Sequence, residues 1–153
     1  MNAVVQVALP FWGFEAATYE LVAARENQVF RIEMAGVAHA MRLHRVGYRS
    51  DAELQSELDW MAAVSKHGLD VPSPVSSRDG AVMHLVEGVQ VDVLTWIKGA
   101  AMGAMGQPLT FAHQPQVFEQ LGREMARLHE ASDAWAPGNG FTRWHWDREG
   151  VFG

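Results

Sequence analysis

The chain contains no cysteine, which removes disulfides, thiolate zinc sites and cysteine nucleophiles from consideration and fits a cytoplasmic protein. No apolar run approaches the roughly 20 residues of a membrane-spanning helix. The N-terminus "MNAVVQVALPFWGF" has neither the basic start nor the cleavage site of a signal peptide. No internal repeat or low-complexity tract interrupts the 153 residues. The charge balance is a modest −6, which argues against nucleic acid or an anionic membrane as a partner. "RLHRVGYR" is nevertheless a local basic patch. Hydrolase signatures are missing too: there is no Gly-x-Ser-x-Gly elbow and no arguable Ser-His-Asp arrangement. "GAAMGAMG" has the glycines of a phosphate loop but no Walker lysine, so it is not one. His39 and His44 are five apart and fall on opposite faces of a strand, which argues against a shared metal.

What is present suits one domain, or one lobe of something larger, with a real core. Hydrophobic residues make up 48% of the chain and charged residues 20%, an ordinary globular balance. A short helix over residues 3–14 is expected to end near Pro10 or Gly13. Three strand-like segments follow at residues 18–23, 29–34 and 38–44, separated by the turns "AREN" and "AGV", and they predict an antiparallel meander. Ser50 and Glu53 fit a capping box, and Leu54, Leu58, Met61 and Val64 then recur at helical spacing. This predicts a helix over residues 51–67, stopped by Gly68. Residues 81–86 and 89–96 read as a hairpin around "EG". The stretch "KGAAMGAMGQP" reads as a linker, and Pro115 opens a helix with Val117, Leu121, Met125 and Leu128 on its apolar stripe. The tail "APGNGFTRWHWDREGVFG" is loop-like yet carries Phe141, Trp144, Trp146 and Phe152, which calls for something to pack against.

Two charges stand out against this pattern. Arg42 sits inside an apolar strand-like run, sharing a face with Ala40 and His44. Glu57 emerges along the apolar stripe of the capped helix, beside Leu54, Leu58 and Met61. A buried carboxylate without a partner is costly, so a cation must meet it, and Arg42 is the candidate. One reading is a structural ion pair that anchors helix to sheet. The other is a phosphate clamp, in which the carboxylate orients the cation and the small Ala40 leaves room for a base.

The phrases "ENQVFRIE", "HAMRLHRVGYRSDAELQSELDWMAAVSKHGLDVPSPVSSRDG", "VDVLTWIKG", "LGREMARLHEAS" and "GFTRWHWDREGVFG" resemble, in this order, the N-terminal lobe of the aminoglycoside phosphotransferase-like family. That kinase-fold group includes choline and homoserine-kinase-type enzymes. The resemblance implies an α+β, protein-kinase-like N-lobe: an antiparallel sheet of about five strands with one packed helix, then a linker and a C-terminal helix. It divides the chain into a nucleotide-binding lobe at 1–97, a hinge and linker at 98–112, and the start of a C-lobe at 113–153. It also implies an ATP site. Arg42 takes the place of the strand cation, where the family often has lysine, and Glu57 that of its helix partner. Glu26 and Asn27 fall at the nucleotide-covering turn, which lacks the glycine-rich pattern. Thr95, Trp96 and Ile97 fall at the hinge that meets the adenine edge, with core packing as the other reading of Trp96.

The family's chemistry also needs a His-Gly-Asp-like loop with an asparagine five residues after the aspartate, and an Asp-Phe-Asp-like metal segment. The one His-x-Asp here is His145-Trp146-Asp147, and Phe152 stands where the asparagine belongs. His145 and Asp147 alone are a weak metal signal. The expectation is therefore the ATP-binding part of a small-molecule kinase, inactive alone, with Mg2+ expected only alongside a C-lobe and the acceptor unreadable. Two rivals stand beside it. One is a non-catalytic module that forms a homodimer through its apolar C-terminal segment, and the other is a structural domain without a nucleotide site.

Overall fold

Alternation along the second and third of three consecutive strands sets the architecture. In β1 (Thr18–Ala24), β2 (Gln28–Met34) and β3 (Val37–Leu43), residues such as Phe30, Ile32, Met41 and Leu43 turn to one face and are buried. A computed structural model, which describes residues 2–100 and 102–143, places these strands in a five-stranded antiparallel sheet. The order is β1-β2-β3-β5-β4, where β4 is Met83–Val86 and β5 is Val89–Thr95. The first three strands form the expected meander. The final hairpin then turns in so that β5, not β4, lies against β3.

The two tight hairpins share one device. Ala35 and Gly36, then Glu87 and Gly88, all have positive φ, the two-residue turn whose twist matches the flanking strands. On the far edge of β5, beyond β4, the proline-rich connection also pairs. Val75 N–H donates to Val93 O at 2.8 Å and Thr95 N–H to Ser73 O at 2.9 Å. β5 is thus hydrogen-bonded on both edges along its length.

The apolar face is covered by α1 (Asn2–Ala8) and a 3-10 turn at Leu9–Trp12. Val5, Ala8, Leu9, Trp12 and Phe14 meet Phe30, Ile32, Met41, Leu43, Val91 and Val93 in the main core. Each large side chain there contributes about 1.5–3 kcal/mol through burial. Gly13 ends the turn with φ 78° and donates to Pro10 O at 3.2 Å, and a Cβ there would meet the Arg78 guanidinium at 3.2 Å.

α2 (Asp51–Lys66) carries the expected capping box. Ser50 Oγ accepts from Glu53 N–H at 3.3 Å, and Glu53 Oε2 accepts from Ser50 N–H at 2.9 Å. His67 is the C-cap and Gly68 follows with φ 83°. A smaller core of Val64, Leu69 and Ala131, flanked by Trp60 and Leu128, joins α2 to α3 (Gln114–Ala134). Trp60 Nε1 donates to Ser132 Oγ at 3.1 Å across this contact.

The stripe expected on α3 is there, with Val117 and Leu128 half-buried at its two ends and its middle uncovered. Leu121 and Met125 are 42% and 51% exposed. Periodicity marked the apolar face without saying what would cover it. Phe141 packs edge-on against Trp135 at 5.2 Å. Trp144, His145, Trp146, Asp147 and Phe152 lie outside the described residues. No helix among the described residues is long and apolar enough to cross a membrane.

Candidate functional site

The second face of the sheet carries the charges. β3 places Arg42 directly between Val29 on β2 and Asp92 on β5. Two residues back on the same face, Ala40 lies between Arg31 and Leu94. α2 brings Glu57 over this face from between the buried Leu54 and Leu58.

The guanidinium of Arg42 is held by two carboxylates. Nη1 donates to Glu57 Oε1 at 2.7 Å, as the sequence spacing led one to expect. Nε and Nη2 donate side-on to Asp92 Oδ1 and Oδ2, both at 2.7 Å. Asp92 is wholly buried, and the side chains of Arg42 and Glu57 are 13% and 25% exposed. His44 Nε2 lies 2.7 Å from the same Oδ2. An ionised carboxylate only accepts, so His44 is the donor. On the other side, Arg143 Nη1 donates to Glu57 Oε2 at 2.8 Å. Thr142 N–H donates to Ser56 Oγ at 3.0 Å beside it.

These contacts set the protonation states. Burial pushes the Asp92 carboxyl up, but hydrogen bonds and charge from His44 and Arg42 outweigh it and hold the group below the usual range. Burial likewise pushes Glu57 up, and Arg42, then Arg143, pull it below its ordinary value. Burial works against the Arg42 cation, yet Asp92 and Glu57 together raise its pKa further. Asp92, Glu57 and Arg42 are therefore all charged at neutral pH.

Asp92 and Arg143 are residues of this cluster that sequence reasoning missed; for Asp92 the contacts are the most extensive. A signal was there, since "VQVDVLT" puts an aspartate among alternating valines. Which strand that aspartate would face depended on β5 inserting beside β3. Arg143 was missed because it lies 86 residues from Glu57.

The other expected site residues fall at two ends of this face. Glu26 and Asn27 sit in the β1–β2 turn, beside the strand positions of Val29 and Arg42. There they line a cavity of about 330 Å³ with His44 and Arg45. Thr95 stands opposite His39 at the far end of β3, followed by a half-buried Trp96 and an exposed Ile97. Trp96 is not packed in the core, and the Arg31 guanidinium lies 5.6 Å from its ring centroid. Arg31 in turn pairs with Glu33 at 2.6 Å and Glu20 at 3.5 Å. Thr95 has its N–H committed to Ser73 O, and its hydroxyl accepts from Ser73 N–H at 2.9 Å. Three residues of strand, about 10 Å, separate the His39–Thr95 end from Arg42. Among the described residues no group of three or more His, Asp or Glu is arranged to hold a metal ion.

Comparison with known proteins supplies a frame for this geometry. Homoserine kinase of Cupriavidus metallidurans is 29% identical over 79 residues, 52% of this chain and 22% of that protein. The homoserine kinase of Burkholderia mallei is 30% identical over 79 residues, with the same shares of each chain. Among solved structures, a microcompartment-associated aminopropanol kinase superposes with a TM-score of 0.78 at 30% identity, covering 97% of this chain and 46% of that one. An amicoumacin kinase in complex with AMP-PNP and Ca2+ superposes with a TM-score of 0.79 at 22% identity, over 97% of this chain and 45% of that one, a likeness of fold. The chain spans 22% of the length of these curated relatives and just under half that of the solved kinases. These neighbours agree with the observed sheet and helix in marking an α+β, kinase-like N-lobe. The description of the phosphotransferase enzyme family matches residues 11–150, nearly the whole chain, and the chain belongs to that family.

Proposed function

We propose that this chain is the ATP-holding part of a small-molecule kinase that transfers the γ-phosphoryl group to an alcohol. One observation carries the reading: a single sheet face offers backbone groups at one end, a small residue in the middle and an oriented cation at the other. A nucleotide laid along β3 would set its base over Ala40, against the Trp96–Ile97 backbone. Its phosphates would then reach Arg42 beneath the turn of Glu26 and Asn27. Thr95 serves as the anchor of this hinge, because its own donor is taken by Ser73.

Arg42 offsets phosphate charge and Glu57 keeps it in place. Mg2+, when bound with the nucleotide, would neutralise the phosphate tail. The carboxylates of Asp92 and Glu57 are committed to guanidinium groups and do not fit that task, so the metal ligands and the group that positions the acceptor hydroxyl would come from a C-lobe. On this reading the chain alone binds ATP without transferring phosphate. The relatives are named for homoserine and aminopropanol, both amino alcohols, which supports a small hydroxyl compound as acceptor.

Titration calorimetry with ATP, with and without Mg2+, tests the reading. Binding by the native chain is expected, with a loss of about tenfold or more in a folded Arg42→Ala variant. No binding by the native chain under either condition would end the proposal. The exposed stripe of α3 supports a second reading, a non-catalytic module that dimerises through that face. Sedimentation analysis separates the two, since the kinase reading does not require self-association.

A further inference from the structure

We propose that Asp92 is the positioning residue that makes an arginine workable at position 42, so that residues 42 and 92 act as one unit. The inference rests on the nucleotide-holding role of Arg42.

Lysine at a strand position is a point charge on a flexible stem, and one carboxylate suffices to aim it. Arginine is planar, with five N–H donors in fixed directions, so its plane as well as its charge must be set. Glu57 engages one donor on Nη1 and leaves the guanidinium free to swivel about that contact. Asp92 removes this freedom by taking Nε and Nη2 together, at 2.7 Å each, from the directly opposed position on β5. Three of the five donors are then used, and one remains on each of Nη1 and Nη2.

The partner is itself fixed. Asp92 has no exposed surface, and His44 donates to its Oδ2 at 2.7 Å. Each carboxylate thus has a second donor behind it, His44 for Asp92 and Arg143 for Glu57. Arg42 is the centre of a five-residue chain, His44–Asp92–Arg42–Glu57–Arg143, joined by hydrogen bonds of 2.7–2.8 Å. The two remaining N–H groups point in directions set before a nucleotide arrives.

The experiment compares the native chain, Asp92→Asn, Arg42→Lys and the double variant, each checked for folding by circular dichroism. Two readouts are taken: affinity for ATP against adenosine, and the side-chain Nε–H resonance of Arg42 by 15N NMR. Asp92→Asn is expected to weaken ATP about tenfold while leaving adenosine unchanged. It should also abolish the slow-exchanging Arg42 Nε–H signal. The double variant is expected to bind ATP better than Asp92→Asn, because a lysine needs no plane set for it.

ATP affinity equal to native in folded Asp92→Asn would overturn the proposal, as would equal losses for ATP and adenosine or the absence of rescue. Should Asp92→Asn fail to fold, His44→Phe keeps the ring and removes the donor behind Asp92. A smaller loss confined to ATP is then expected, and no loss would overturn the proposal. If the native chain binds no ATP, the nucleotide reading falls by itself, and the Arg42 resonance decides the positioning claim. Its loss in Asp92→Asn, or in His44→Phe if the former does not fold, upholds Asp92 as the residue that aims Arg42, and its persistence refutes it.

Discussion

The two faces of one strand make opposite demands on the chain. Met41 and Leu43 point from β3 into a core where no charge is present. Arg42, between them, points into a cluster where every partner is charged or polar. The first face derives its stability from area removed from water and tolerates any side chain of suitable volume. The second depends on donor and acceptor directions, and a change of one atom type leaves a buried group unpaired. Stabilisation by area and stabilisation by bond direction therefore sit on opposite faces of the same seven residues.

The sharpest way to break this division is to damage each face in turn. Phe30→Ala empties the centre of the apolar face and should cost about 3–5 kcal/mol in denaturant unfolding. ATP affinity of the molecules that remain folded should be little changed. Arg42→Met fills similar volume but orphans Asp92, and a loss of about 3 kcal/mol or more is expected by the same measurement. Here ATP binding should fail as well, so the two variants differ in function and resemble each other in stability.

Acid titration separates the faces by their charge. Asp92 and Glu57 have depressed pKa values in the folded chain. The unfolded chain therefore takes up protons first as pH falls below about 5. The stability these groups confer is complete above the ordinary carboxylate range and is lost as pH drops through their folded values. Unfolding midpoints measured from pH 7 to pH 3 should fall steeply for the native chain and more shallowly for Arg42→Met.

The smallest expected effect concerns a polar misfit on the apolar side. His39 stacks on Phe14 at 4.8 Å, and its Nδ1 is buried without a hydrogen-bond partner. Burial lowers its pKa, so the native chain loses stability as pH falls through the ordinary histidine range, about 6.5. His39→Phe keeps the ring contact and should raise stability by about 1 kcal/mol, more at pH 5.5 than at pH 8.

Much of this was legible in the residues. The alternation in β2 and β3, the Ser50–Glu53 cap and the Arg42–Glu57 pair all follow from spacings of fifteen residues or fewer, where periodicity and reach are decisive. Asp92 was not, because its partner lies 50 residues away and their meeting depends on which strand of the last hairpin turns inward. The stripe on α3 shows a related limit. An apolar period says that a face seeks cover and does not say whether this chain supplies it.

The doubled hydrogen bond between Thr95 and Ser73 has a mechanical consequence. Strand β5 is gripped on both edges up to that residue, and the hydroxyl adds a second fastening at its last position. Thr95 works as a rivet: backbone and side chain together pin the last residue of β5 to the proline-rich connection, at the end of the sheet away from Arg42.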